Sequence, residues 1–383
     1  MTFSHQELAV LFALTHFDSP VQLTGLSELT QLETSDLQTA LAMLAERDLL
    51  VIANDAYGLS HREYLVELTN QHQALFLPIA ERLKQKVYDL LMECGYDSYE
   101  YFPRLQAQWA CIVAALPLFM QGDYANLKKV HYALFAFLMF SGHWQTGINF
   151  YSQGETIALA HEDYYQAGWM MYFVGWFHYH RGQLAELTAA NERCETHWRH
   201  AGFDADEQAR ILRLQGIAFE LQRDYASAKA TYSELLRVTQ IKTSNVKSTG
   251  HALAALAETE RQLGELELAE QHFNEALVID KNNQDAEGTA AVLGRMAELA
   301  LMKQDWITAQ QLAEEALTRS EQLHRLDYIG ANCQRLASAL AQQQQQSVGL
   351  MLAQRAVNIF TELQMTTDLQ QAQAVLTLCQ QTH

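Results

Sequence analysis

Between Phe3 and His16 the apolar residues Leu8, Val10, Leu11 and Leu14 fall on one helix face, and the pattern breaks at Asp18-Ser19-Pro20. A second short helix is predicted over Leu23 to Leu29. A third, capped by Thr34-Ser35-Asp36, carries Leu37, Leu41 and Leu44. Leu49 to Ile52, the turn Asn54-Asp55 and Tyr57 to Leu59 then read as a two-stranded wing. Three helices and a hairpin predict a winged helix-turn-helix over residues 1–70, followed by a helical connector over 71–126.

From Leu127 onward the pattern repeats. The tetratricopeptide unit is a helical hairpin with small residues where its helices meet, on the pattern W-x2-L-G-x2-Y followed by A-x3-F. The segment LRLQGIAFELQRDYASAKATYSELL, Leu212 to Leu236, matches it through Gly216, Phe219, Tyr225, Ala228 and Tyr232. The frame recurs with Ala257, Leu266, Ala269, Phe273 and Ala276, then Ala297, Trp306, Ala309, Ala313 and Ala316, then Ala337, Gly349, Ala353 and Ala356. First-helix and second-helix small residues both step by 41, 40 and 40 positions. Upstream, Gly175 with Gly182 and Leu184, and Phe135 with Gly142, Trp144, Gly147 and Tyr151, keep the spacing with weaker residue matches. The chain therefore reads as all-α: a tetratricopeptide-type α-solenoid of about six helical hairpins of 40–41 residues over 127–383, with the winged helix at its N-terminus. Polar stretches such as Lys242 to Ser248, Asp280 to Asp285 and the glutamine run Gln342 to Gln346 suit turns between helices.

Composition narrows the function classes. Four prolines and eighteen glycines in 383 residues favour helices over strands and turns. Forty-five acidic residues against twenty-six basic ones give a formal charge of -19, which repels phosphate backbones and anionic membranes. Within residues 1–70 only Arg47 and Arg62 oppose ten carboxylates, the reverse of a DNA-reading footprint. Five scattered cysteines without CxxC spacing suggest neither a disulfide framework nor a zinc knuckle, and point to a reducing cytoplasm. The N-terminus does not read as a signal peptide, and the apolar stretches Tyr132 to Phe140 and Trp169 to Phe177 are too short to span a bilayer.

The stretch LQTALAMLAERDLLVIANDAYGLSHREYLVELT, Leu37 to Thr69, resembles the last winged-helix helix, wing and exit helix of bacterial STAND ATPases of the NB-ARC type. The later YFPRLQAQWACIVAALPLFMQGDYANLKKV, Tyr101 to Val130, resembles the connector that follows that module, and repeats of about 40 residues come next in the same order. The resemblance implies a sensor and relay segment, with an NTPase domain in the same native polypeptide as a partner. It would place a nucleotide-touching histidine at His61, or its equivalent one residue earlier at Ser60. No GxxxxGK[ST] phosphate loop occurs in this sequence.

In tetratricopeptide superhelices the exposed first-helix positions line a concave groove. Here those positions are Lys129, Tyr132, Trp169, Tyr172, Trp176, Tyr179, Arg210, Arg213, His251, Glu258 and Arg261, aromatic at first and basic in the middle. Aromatic anchors beside guanidinium groups suit a protein or peptide ligand with an apolar segment and a carboxylate. The competing arrangement turns the early aromatics into the core against the connector. His178 and His180 are two residues apart and point to different helix faces, whereas His197 and His200 are three apart without an HExxH motif. The sequence assigns no catalytic residue, metal or cofactor. The expected function is a non-catalytic protein- or peptide-binding sensor and relay module of a STAND-type signalling protein. A peptide-sensing one-component transcriptional regulator and a constitutive scaffold are its alternatives.

Overall fold

The computed structural model describes residues 3–61, 65–95, 99–242 and 246–381. By its internal contacts the chain divides into two compact units, Met1–Leu134 and Phe135–His383. No described helix is long and apolar enough to cross a membrane.

The first unit opens with α1 (His5–Thr15), β1 (Val21–Gln22), α2 (Leu23–Thr30), α3 (Thr34–Glu46), β2 (Leu50–Ala53) and β3 (Ala56–Leu59). Ser4 starts α1 through a capping box, its hydroxyl accepting from Glu7 N at 3.1 Å while Ser4 N donates to the Glu7 carboxylate at 2.7 Å. Residues Leu8 to Leu14 of α1 are all buried, so this helix is the centre of the unit. The cap expected for α3 is displaced: the helix begins at Thr34 itself, with Glu33 at its N-cap and no side-chain bond. Asn54 and Asp55 both adopt positive φ, 50° and 60°, the geometry of a two-residue hairpin turn. The strand pair β2–β3 gains a third member that the sequence did not reveal, because β1 is only two residues long. Val21 pairs with Tyr57 and gives the antiparallel order β1-β3-β2. The chain continues through α4 (Leu65–Gln71), α5 (Gln73–Cys94), α6 (Phe102–Ala107), α7 (Trp109–Met120) and α8 (Tyr124–Phe140).

The second unit is a helical repeat solenoid. After α9 (Trp144–Ala160) come the pairs α10 (Tyr164–His180) and α11 (Leu184–Ala201), α12 (Ala205–Leu221) and α13 (Tyr225–Lys242), and α14 (Val246–Gln262) and α15 (Leu266–Asn282). They are followed by α16 (Ala286–Met302) and α17 (Trp306–Gln322), α18 (Leu326–Gln342) and α19 (Gln346–Glu362), and a last helix, α20 (Thr366–Gln381). The repeated small residues sit where the helices meet: Ala257, Ala269, Ala276, Ala297, Ala309, Ala316, Ala337, Ala353 and Ala356 are all fully buried.

Apart from the turn at 202–204, where the first residue Gly202 is the left-handed one, the described turns of the solenoid are three residues long and solve the helix end in the same way. The middle residue takes a left-handed conformation, as at Gly182, Arg223, Gly264, Gln284, Gln304, His324 and Gln344. The next N–H then reaches back five residues, as Asp224 N does to Phe219 O at 2.9 Å and Asp305 N to Ala300 O at 3.0 Å. The glutamine run is such a turn, with Gln344 at its left-handed position. Of the polar stretch 242–248, residues 243–245 lie outside the described residues.

The solenoid closes on itself within this unit. Arg325, 2% exposed, holds Asp327 at 2.8 and 2.9 Å and Glu287 at 2.5 Å, and its guanidinium lies 3.4 Å from the ring centre of Phe140 at the end of α8. Leu363, in the turn between α19 and α20, packs against Gly142 in the turn before α9.

Candidate functional site

Closure of the solenoid turns the free faces of α10, α12, α14, α16, α18 and α20 toward one another. Tyr179 of α10 is near enough to Glu220, Arg295, Tyr328 and Asp368 for all four to bias its ionisation, although these residues come from α12, α16, α18 and α20. Burial is the largest cause and pushes the Tyr179 phenol well up. The same crowding lifts the Glu220 carboxyl to about 7, against the pull of Arg295 and hydrogen bonds from Tyr232 and Thr259. Tyr179, Glu220, Arg295 and Tyr328 nonetheless each keep some solvent exposure. The faces together form a narrow inner surface.

One end of that surface is aromatic. Trp169, Tyr172, Trp176 and Tyr179 are spaced three, four and three residues apart, which places them in one stripe along α10, each half-buried. Successive rings meet edge to face at 5.6, 6.2 and 5.8 Å. The fully buried Trp198 of α11 supports the stripe, 5.6 Å from Trp169 and 5.9 Å from Tyr172, with its indole N–H donating to Tyr165 O at 3.1 Å. Arg210 and Arg213 of α12 lie over this stripe, their guanidinium carbons 4.6 Å from the Trp169 ring and 5.0 Å from the Trp176 ring. The early aromatics are therefore neither wholly core nor wholly free.

Beyond them the surface is ionic. Arg210 pairs with Glu207 at 3.5 Å, and Arg213 Nη1 donates to His251 Nδ1 at 3.2 Å. Arg261 pairs with Glu258 at 2.6 Å and Glu298 at 3.4 Å, and Arg335 joins Glu298 at 3.1 Å. Burial raises the Glu298 carboxyl, but Arg335 and Arg261 outweigh it and hold the group below its usual range. Arg295 donates to Ala254 O at 3.1 Å and is drawn electrostatically to Glu258 and Glu220.

Nine of the residues chosen from sequence, Trp169 through Arg261, thus lie in the second unit along α10, α12 and α14. Lys129 and Tyr132 belong to the first unit, where Lys129 Nζ approaches Tyr88 Oη at 3.3 Å. His61 is exposed beside β3 in the first unit. Arg295, Glu298 and Arg335 were missed, although a signal existed. Tyr172, Arg213, Ala254, Arg295 and Arg335 occupy one repeat slot at steps of 41, 41, 41 and 40, and Trp176, Ile217, Glu258 and Glu298 occupy another. Carrying the projection past Arg261 finds them.

The paired histidines considered from sequence are occupied separately. His197 Nε2 meets Glu155 Oε1 at 2.7 Å, and the His200 ring lies 3.9 Å from that of Tyr164. The five cysteines are free thiols.

No protein-family model matches this sequence. No curated protein sequence matches it either. Solved structures do. A Rap protein complexed with Competence and Sporulation Factor shares 10% identity over 98% of both chains, with a TM-score of 0.53. A STAND protein with a tetratricopeptide repeat sensor from Pyrococcus horikoshii shares 11% identity over 98% of this chain at a TM-score of 0.46, and this chain spans 63% of its length. Yeast Tom70 shares 12% identity, covering 98% of this chain and 69% of its own, at a TM-score of 0.44. At these identities the likeness is one of fold: all-helical repeat proteins of the tetratricopeptide type.

Proposed function

We propose that the second unit captures a protein or peptide on its inner surface, and that this capture, rather than catalysis, is what the chain does. The observation that carries the reading is the aromatic stripe of α10 overlain by Arg210 and Arg213. Four half-exposed rings offer apolar area at little cost in side-chain entropy, and two guanidinium groups beside them offer paired donors to a carboxylate. The Rap protein of similar fold was solved complexed with a factor, which supports ligand binding as a use of this architecture.

The finer reading rests on the residue pattern of the N-terminal region. The order α1, β1, α2, α3, β2, β3 fits a winged helix over 1–70, followed by a connector over 71–126 and repeats over 127–383. Its acidic balance suits a relay that contacts protein, not DNA. In this reading the chain is the sensor and relay part of a STAND-type signalling protein, and an NTPase domain of the same native polypeptide receives the signal.

The test is a pull-down from a lysate of the source organism, comparing wild type with the Arg210→Glu, Arg213→Glu double variant and identifying partners by mass spectrometry. A partner held by the wild type and lost by a folded double variant is the expected result. Identical partners from both would move recognition away from this stripe.

A further inference from the structure

One repeat slot holds an anomalous residue. Trp198, Thr239, Asp280, Ser320 and Phe360 follow each other at steps of 41, 41, 40 and 40, each near the end of the second helix of its pair. Phe360 packs against Gly330, and Trp198 against Gly168. Ser320 donates to Ala316 O at 2.7 Å and accepts from Asn332 Nδ2 at 3.0 Å, and Thr239 donates to Leu236 O at 3.0 Å. Asp280 brings a carboxylate to this position, fully buried, and neither of its oxygens has a hydrogen-bond partner. Two glycines make room for it: a Cβ at Gly250 would stand 2.4 Å from Asp280 Oδ1, and one at Gly288 would stand 2.7 Å from Oδ2. A buried anion left without hydrogen bonds is among the costliest groups a fold can carry, and calls for a counter-charge.

What the carboxylate faces is His251 and Asp285, and the exposed Lys247 is near enough to attract both carboxylates. One ligand atom from each of His251, Asp280 and Asp285 lies within 4.8 Å of the others, the only such cluster of three among the described residues. His251 Nε2 is already 3.0 Å from Asp285 Oδ2, while Asp285 Oδ1 caps α16 by accepting from Gly288 N at 2.9 Å. Metal–oxygen and metal–nitrogen bonds near 2.0–2.2 Å hold ligand atoms up to about 4.4 Å apart, so small side-chain movements would bring all three donors onto one ion. We propose that His251, Asp280 and Asp285 bind a single divalent transition-metal ion of the zinc and manganese class, with an open coordination position on the exposed side of His251. One imidazole nitrogen with two carboxylates suits such borderline ions, and three protein ligands leave room for a further group.

The site is coupled to the inner surface through His251. Without metal, Nδ1 accepts from Arg213 and Nε2 carries the proton donated to Asp285. A metal on Nε2 puts the ring proton on Nδ1, facing Arg213 donor to donor, so loading displaces Arg213 from its place over Trp176. Metal binding and the set of the Arg213 guanidinium therefore oppose one another.

The test uses the full chain, stripped with chelator and titrated with zinc by calorimetry and by tryptophan fluorescence. The expected result is one tight equivalent and a fluorescence change at the same stoichiometry. Asp280→Asn keeps the shape and removes the charge, so it folds and melts no lower than the stripped wild type. It loses the tight equivalent by more than roughly 100-fold, beyond what loss of an outer-shell contact costs. Asp280→Ser, which borrows the residue of the equivalent slot, gives the same loss. Arg213→Ala tightens zinc by roughly 10-fold. If the wild type shows no saturable zinc binding, or if Asp280→Asn and Asp280→Ser bind zinc as the wild type does, the assignment fails and Asp280 is simply a protonated buried acid.

Discussion

Two pairs of the same solenoid, α12/α13 and α16/α17, fill one slot in opposite ways. In the first, Gly216 faces Tyr232, 1% exposed, whose ring would stand 2.2 Å from a Cβ at Gly216. In the second, the equivalent residues are Ala297 and Ala313, both fully buried. The first helix differs by one methyl while the second loses a whole ring, and α14/α15 adds a third solution with Ala257 opposite Phe273. The slot therefore holds the small residue of the first helix more strictly than the summed volume of the two side chains.

The largest effect expected from this comparison is on Gly216→Ala. One methyl group has no room beside a buried ring, so the variant should lose about 3 kcal/mol, at the upper end of overpacking costs. The cost should shrink by more than about 1 kcal/mol in the Gly216→Ala, Tyr232→Leu double variant, because the two residues share one space. Urea unfolding of the four members of this cycle measures both. Strict additivity would show that the two residues do not compete for one space.

This comparison also marks how much could be read from sequence. Gly216, Ala257, Ala297 and Ala337 repeat in phase with Ala228, Ala269, Ala309 and Gly349, so the hairpins were legible from small residues alone. Strand β1 was not, since two residues after Pro20 carry no periodicity. The aromatic stripe of α10 was visible as spacing, whereas its half-burial depends on Trp198 and on arginines 41 and 37 residues downstream of the rings they cover. Asp280 read as a polar turn residue. Its isolation arises from Gly250 and Gly288, one in the preceding helix of its own pair and one in the next pair, and is a property of packing.

A large residue in the slot brings a polar tip that Ala313 does not have. The Tyr232 hydroxyl bonds the Glu220 carboxyl, which burial raises from 4.5 to about 7. The sign follows from linkage. A carboxyl with a raised folded pKa favours the native state most below its unfolded pKa, and this contribution is lost as pH climbs from about 4.5 through 7. Glu220→Gln imitates the protonated form, so it should match wild type near pH 4 and exceed it by about 3 kcal/mol above pH 8. Stability measured across that range checks this. A pH-independent difference would mean that Glu220 is hydrated on the inner surface.

The smallest effect concerns what the two pairs share. Their turns are alike despite the different slots: Arg223 and Gln304 sit at φ 59° and 61°, each followed by an aspartate whose N–H reaches back five residues. A side chain in the left-handed region is strained by about 1 kcal/mol or more, and glycine relieves it while losing more freedom on folding. The balance should leave Arg223→Gly and Gln304→Gly each stabilised by roughly 0.5 kcal/mol. Equal gains in urea midpoint would show that the turn is an independent part, set by backbone alone. A gain at Gln304 without one at Arg223 would tie the turn to the packing beneath it, and the tyrosine slot would then dictate more of its hairpin than the volume it fills.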